Sequence, residues 1–135
     1  YGDGDFRHII LPAITLGVEL EMPETTYHRG DLFYLNARLG NPGQPMSDVP
    51  LFVILDVYGD LFFWPSWVGA GAGWDWQAIE LQTGIRILPI IPAFEWADID
   101  GSASGLVVYA GMTRPDFSRL LGNMDAVTFG YSENP

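Results

Sequence analysis

The sequence predicts an all-β fold, a sandwich of two sheets, from three observations. Apolar residues recur at every second position in several segments, which is the period of a half-buried strand. Clusters of glycine, proline, asparagine and aspartate separate most of these segments and mark turns. Only one short segment, residues 114–123, has the features of a helix. We therefore expect about seven to nine short strands and one short helix near 115–121.

The first half of the chain supplies the clearest strands. In residues 14–22 and again in 32–39, apolar side chains occupy alternate positions, so one face of each strand is buried and the other is wet. Residues 51–64 are expected to form a β-hairpin that turns near Tyr58–Asp60, with a strand that is apolar on both faces through Ile54. The inward residues expected from the first two segments are Ile14, Leu16, Val18, Leu20, Met22, Phe33, Leu35, Ala37 and Leu39.

In the second half of the chain, the predicted strands are interrupted more often. The predicted elements are a loop at 65–76, strands at 77–81, 84–96, 106–112 and 126–131, and the helix. Pro89 and Pro92 cannot donate to a ladder, so the strand that holds them should lie at a sheet edge or be broken there. Pro115 near the start of the helical segment and Gly122 at its end are the signals for the helix.

Composition excludes several classes of protein. The 135 residues are 48% apolar and 14% aromatic, which is too hydrophobic for a disordered chain. No apolar run reaches the length of about 18 residues that a membrane-spanning helix needs. The net charge of −11 repels phosphate backbones and anionic lipid, which argues against nucleic-acid and membrane-surface binding.

The residues that carry most enzyme chemistry are missing. The chain has no cysteine and no lysine, which excludes thiolate catalysis, thiolate zinc sites and Schiff bases. The two histidines, His8 and His28, lie in no nucleophile motif, and no G-x-S-x-G occurs. We therefore predict a protein that is not an enzyme. The start at Tyr1 suggests a processed chain or an excised domain, with residues 1–5 as a leader and 6–135 as one domain.

Residues 26–43, TYHRGDLFYLNARLGNPG, resemble a recurring segment of the immunoglobulin-like modules of bacterial secreted and cell-surface proteins. Those modules carry the phrase Y-x-x-G-D-x-F-x-L followed by N-P-G. The matching residues are Tyr27, Gly30, Asp31, Phe33, Leu35, Asn41, Pro42 and Gly43. The resemblance implies an immunoglobulin-like sandwich, a prokaryotic extracellular setting and no catalytic residues. Physically, glycine with aspartate should turn the chain into the strand, and the N-P-G group should turn it at the other end.

Residues 61–77 contain four of the five tryptophans, namely Trp64, Trp67, Trp74 and Trp76. Three interpretations are open. The indoles cap one end of the sandwich, they form an interface with another protein copy, or they provide a stacking platform for sugar rings. Trp74 and Trp76 are two positions apart, so both face one way if that piece is extended.

An apolar stretch near the N-terminus suggests assembly. Residues 6–12, which include Ile9, Ile10 and Leu11, form either the first strand of their own sandwich or an arm that adds to the sheet of a neighbouring copy. In the second case, outward apolar side chains would help to build the interface between subunits. Those side chains are Phe52, Ile54, Val107 and Tyr109.

The DIDG segment at 98–101 raises the question of calcium. Asp98 and Asp100 have the carboxylate spacing of a calcium loop, but the third ligand and the glutamate at the twelfth position are missing, and a turn explains the same residues. The sequence thus favours a non-catalytic extracellular structural or assembly module, such as the repeating subunit of a filament or sheath. Its partners would be other copies or neighbouring surface proteins. A carbohydrate-binding module and a calcium-stabilised linker domain are the alternatives.

Overall fold

The computed structural model describes residues 14–97 and 100–133. The strands are β1 (Gly17–Glu21), β2 (Thr26–Tyr27), β3 (Leu32–Asn41), β4 (Met46–Val57), β5 (Asp60–Phe63), β6 (Val68–Gly69), β7 (Gln77–Leu81), β8 (Gly84–Glu95), β9 (Ala103–Met112) and β10 (Asp125–Tyr131). One 3-10 turn, Ala70–Ala72, is the helical structure in these residues. The all-β prediction is confirmed, and the two-residue strands β2 and β6 raise the number of strands in the described part to ten.

The strands form two sheets packed as a sandwich. The smaller sheet has the order β1-β3-β8, and the larger has the order β2-β10-β9-β4-β5-β6, with β7 paired to β4. Pairing is antiparallel except between β2 and β10. When β2, β6 and β7 are set aside, seven strands remain in an immunoglobulin-like arrangement. The first, second and fifth form one sheet, and the third, fourth, sixth and seventh form the other.

The core lies between the two sheets and follows the alternation of the sequence. Every second residue of β3, β4 and β9 points inward, as expected for strands with one covered face. The fully or almost fully buried residues of these three strands include Phe33, Leu35, Ala37, Leu39, Val49, Leu51, Val53, Val108, Ala110 and Met112. The inward set predicted for 32–39 is therefore confirmed.

The predicted hairpin and edge strand are also present. β4 and β5 are joined by Tyr58 and Gly59, whose φ values of 53° and 96° are those of a tight two-residue hairpin turn. β8 pairs only with β3 among the described strands, so it is an edge strand. Its ladder is irregular opposite Leu35, next to Pro89 and Ile91. The prolines therefore lie where a missing N–H is tolerated.

Residues 26–43 form the two turns predicted from their sequence. His28 donates its backbone N–H to the Asp31 carboxylate at 2.7 Å, and Gly30 has a φ of 84°. At the other end, Asn41 is buried: its side-chain oxygen accepts the N–H of Gly43 at 2.9 Å. The Asn41 Nδ2 donates to the carbonyls of Gln44 and Leu81 at 2.9 and 3.3 Å. This amide thus ties the turn to β7.

The helix predicted near 115–121 is wrong, because this segment forms turns and bends. Phe117 has a φ of 61°, which a right-handed helix does not accept, and its N–H bonds the Arg114 carbonyl at 2.8 Å. Asp116 accepts the N–H of Ser118 through its side chain at 3.0 Å. Such a local side-chain bond competes with the helical pattern, which explains why the proline and glycine signals were misleading.

The segment after β9 instead folds back over the sandwich. Thr113 and Leu120 form an antiparallel bridge. Farther on, Asn123 accepts the N–H of Val18 and donates to the carbonyl of Leu16, both at 2.9 Å. The Asn123 bonds cover the free edge of β1 in the smaller sheet, and the Leu121 N–H, which donates to the Met112 carbonyl at 2.8 Å, ties the segment to β9 of the larger sheet.

Some predictions fall on residues outside the described part. These are the leader at 1–5, the arm at 6–12 with Ile9, Ile10 and Leu11, and Asp98. Within residues 14–97 and 100–133, no helix is long and apolar enough to cross a membrane.

Candidate interaction surface

The outer face of the larger sheet is apolar at its centre. Alternation along β4 and β9 points Phe52, Ile54 and Tyr109 away from the core. Ile54 pairs with Tyr109 on one side and with Phe63 of β5 on the other, so these three side chains form one row across three strands. All three strands thus contribute apolar side chains to the outer face of the sheet, whereas a solvent-exposed face usually carries polar side chains.

Two loops add aromatic rings to this face. The Trp76 ring lies 5.6 Å from the Phe52 ring and 5.0 Å from the Phe117 ring, which it meets edge to face. Phe52 and Phe117 are themselves 6.2 Å apart. The three rings form a cluster above β4 that draws on β4, the loop before β7 and the loop after β9.

Trp74 covers Phe63 on the opposite side of β4. The two rings are stacked, with centroids 5.9 Å apart and an interplanar angle of 13°. Phe63 is only 4% exposed, whereas Trp74 is 71% exposed. The indole therefore shields Phe63 with one side and presents most of its remaining surface to solvent.

An open groove of about 180 Å³ lies beside this cluster, on the β9 side of β4. Phe52, Ile54 and Tyr109 contribute to it from the sheet, and Leu120 and Met124 from the returning segment. The last two are about half exposed. We call the whole surface the aromatic face: Phe52, Ile54, Phe63, Trp74, Trp76, Tyr109, Phe117, Leu120 and Met124.

Asp75 holds the exposed tryptophans in place. Its carboxylate accepts the backbone N–H of Ser66 at 3.0 Å and that of Trp76 at 2.9 Å. Hydrogen bonds from the Ser66 side chain and then its backbone lower the pKa of Asp75. Asp116, on the loop that carries Phe117, has its pKa lowered in the same way by Ser118. Both carboxylates are therefore anionic at neutral pH.

The four tryptophans of residues 61–77 are divided between the core and the aromatic face. Trp64 is 6% exposed, and Trp67 is partly buried against the core cluster. Trp74 and Trp76 lie outside, the latter 40% exposed. Phe52 and Ile54 join the same face.

Sequence reasoning missed four members of the aromatic face: Phe63, Phe117, Leu120 and Met124. The sequence places Phe63 only within a strand of the predicted hairpin. The other three fall in or next to the segment predicted as a helix. The spacing of Asp116 and Ser118 around Phe117 is the local signal that could have indicated a turn there.

The described residues show no group of three or more histidine, aspartate or glutamate side chains placed to hold a metal ion. Asp100 is exposed, and Asp98 lies outside the described part. Nearby, the Glu133 carboxylate accepts the Gly101 N–H at 2.8 Å. The Nδ1 atom of His28 is 3.4 Å from the Asp31 carboxylate, in the turn before β3.

No protein-family model matches the sequence, and none of the curated proteins matches it. Among solved structures, the chain is similar to the CARDB domain of a protein from Pyrococcus furiosus, crystallised in complex with di-metal ions. The TM-score is 0.49 and the identity 16%, over 92% of this chain and 97% of that one. A likeness at this level carries no argument about function.

Proposed function

We propose that this chain is a non-catalytic extracellular packing module that assembles through its aromatic face with further copies of itself. The observation that carries the proposal is the exposure of five large apolar side chains on one side of one sheet. They are Trp74 at 71%, Trp76 at 40%, Phe117 at 49%, Leu120 at 49% and Met124 at 50%.

A contiguous exposed apolar patch of this kind is unfavourable in an isolated protein, because its surface stays in contact with water. Single exposed apolar residues are ordinary, but large clustered ones favour association because burying them removes apolar surface from water. Tryptophan is also the residue type most enriched among the side chains that dominate binding energy. The aromatic face therefore fits a protein–protein contact better than a surface selected only for solubility.

The extracellular setting is supported by the phrase in residues 26–43 and its resemblance to modules of secreted and surface proteins. The segment 6–12 adds a second means of assembly to the proposal. Its apolar residues would extend from one subunit to its neighbour and turn pairwise contacts into a filament or sheath.

The test is the dependence of particle size on concentration. Light scattering on the purified chain should show the mean mass rising with concentration, and electron microscopy should show filaments at high concentration. The variant Phe117→Ala should reduce association, because it removes one ring of the cluster above β4. Ile87→Ala is the matched control, since Ile87 is also exposed but lies on the smaller sheet. A wild-type chain that stays monomeric at every concentration would overturn the proposal.

Binding of sugars is a second candidate, favoured by the arrangement of Trp74. Its indole is already oriented by the stack on Phe63, and a pyranose ring binds to such an exposed aromatic surface through its own apolar side. Titration with oligosaccharides should then change tryptophan emission in the wild type but not in Trp74→Ala. A glycan array without any bound sugar would remove this candidate and leave the packing module in place.

A further inference from the structure

We propose that the aromatic face binds a second copy of the chain reciprocally, with Trp74 of each copy in the groove of the other. This deepens the proposed function and rests on it. The contact is a two-fold one, in which the same surface is used by both partners.

The face carries both a projection and a matching recess. Trp74 is the most exposed of the large apolar side chains in the described part of the chain. The groove lined by Ile54, Tyr109, Leu120 and Met124 is apolar and open, and no side chain from residues 14–97 or 100–133 fills it. An indole is the type of group that such a recess accepts, because both surfaces leave water together.

Strand order places the projection and the recess on opposite sides of β4. Trp74 stacks on Phe63 of β5, whereas the groove lies over β4 and β9. Phe63, Ile54 and Tyr109 are paired across the three strands, so the projection and the recess are also at the same level along the strands. A two-fold axis that runs along β4 within the interface therefore brings each Trp74 over the groove of the partner.

The exposed area is sufficient for a dimer. A large side chain presents roughly 150–250 Å², so the five exposed members of the aromatic face present on the order of 500 Å² at their observed exposures. A standard interface covers about 800 Å² per partner, and roughly 65% of a homodimer interface is apolar. The apolar part of such an interface therefore matches the exposed part of this face.

The first experiment tests the roles of the projecting Trp74 and of the groove with separate variants. Trp74→Ala removes the projection and keeps the groove, whereas Ile54→Trp fills the groove and keeps the projection. Each variant alone should dimerise at least tenfold more weakly than the wild type in analytical ultracentrifugation. An equimolar mixture should form a heterodimer more strongly than either variant forms a homodimer, because one Trp74 then meets one open groove. Circular dichroism confirms that each variant is folded.

The second experiment uses the absence of cysteine from the chain. Ile54→Cys places one thiol beside the axis, so a short bis-maleimide should link two copies, whereas the control Ile87→Cys on the smaller sheet should give no dimer.

The outcomes are distinguishable. A wild type that is monomeric throughout refutes the proposed function as well as the reciprocal contact. If the wild type associates and Trp74→Ala associates equally well, the reciprocal contact is refuted and the packing module remains. The same conclusion follows if Ile87→Cys is cross-linked and Ile54→Cys is not.

Discussion

The two ends of the tryptophan-rich segment are used in opposite ways. At one end, Trp64 follows β5 directly, donates its backbone N–H to the Val53 carbonyl at 2.9 Å and packs in the core. At the other end, Trp74 and Trp76 return over the outside of the same sheet. Because successive residues of a strand face opposite sides, Phe63 points outward and Trp64 inward. Four similar side chains therefore divide into two that stabilise the fold and two that are available for binding.

Removing a core tryptophan should have the largest effect on the stability of the monomer. Trp64→Ala leaves a cavity between the sheets, and we expect a loss of about 3–5 kcal/mol in the free energy of unfolding. Urea unfolding at a concentration where the chain is monomeric measures it, with Trp74→Ala as the matched control. Equal losses in the two variants would mean that the division between core and surface is wrong.

Trp76→Ala should have an intermediate effect on the monomer. The ring is 40% exposed but contacts both Phe52 and Phe117. Two aromatic contacts of this kind suggest a loss of roughly 1–2 kcal/mol, measured by the same urea titration. A loss as large as that of the core variant would show that this cluster is part of the core in solution.

Trp74→Ala should barely change the stability of the monomer. It removes one stack, on Phe63, so the expected loss is about 0.5–1 kcal/mol. Its effect on association should be much larger than its effect on unfolding. If unfolding is strongly affected and association is not, the residue is a structural lid over Phe63.

The smallest expected effect on stability concerns Asp75, the acid that orients the exposed Trp74 and Trp76. The pKa of Asp75 is lowered from 3.8, so its hydrogen bonds stabilise the fold above that value and the contribution is lost as pH falls through the lowered pKa. The stability of the wild type should therefore fall more steeply below about pH 3.8 than that of Asp75→Asn. Unfolding curves from pH 5 to pH 2 measure the difference, and parallel pH profiles would contradict it.

The sandwich itself could be predicted because burial between two sheets imposes a period of two on the chain. The alternation in β3, the hairpin at Tyr58 and Gly59, and the edge position of the proline-containing β8 all follow from local chemistry. In the same way, the N-P-G group had to turn, and the buried Asn41 side chain completes that turn.

The aromatic face could be predicted only in part, because it is assembled by loops. Periodicity shows which side of a strand Phe52 and Ile54 occupy, but it does not show where a glycine-rich loop returns. Phe117, Leu120 and Met124 reach the face only because residues 113–124 bond back to the sandwich. The predicted helix would have directed these side chains elsewhere.

The position of Asn41 before a proline affects how this buried amide ages chemically. Asparagine deamidates when the backbone nitrogen of the next residue attacks the side-chain amide to form a succinimide ring. Here the next residue is Pro42, whose ring nitrogen carries no hydrogen and cannot close that ring. The amide that joins the turn to the Leu81 carbonyl is thereby protected from deamidation by this route, which would otherwise place a negative charge on a buried side chain.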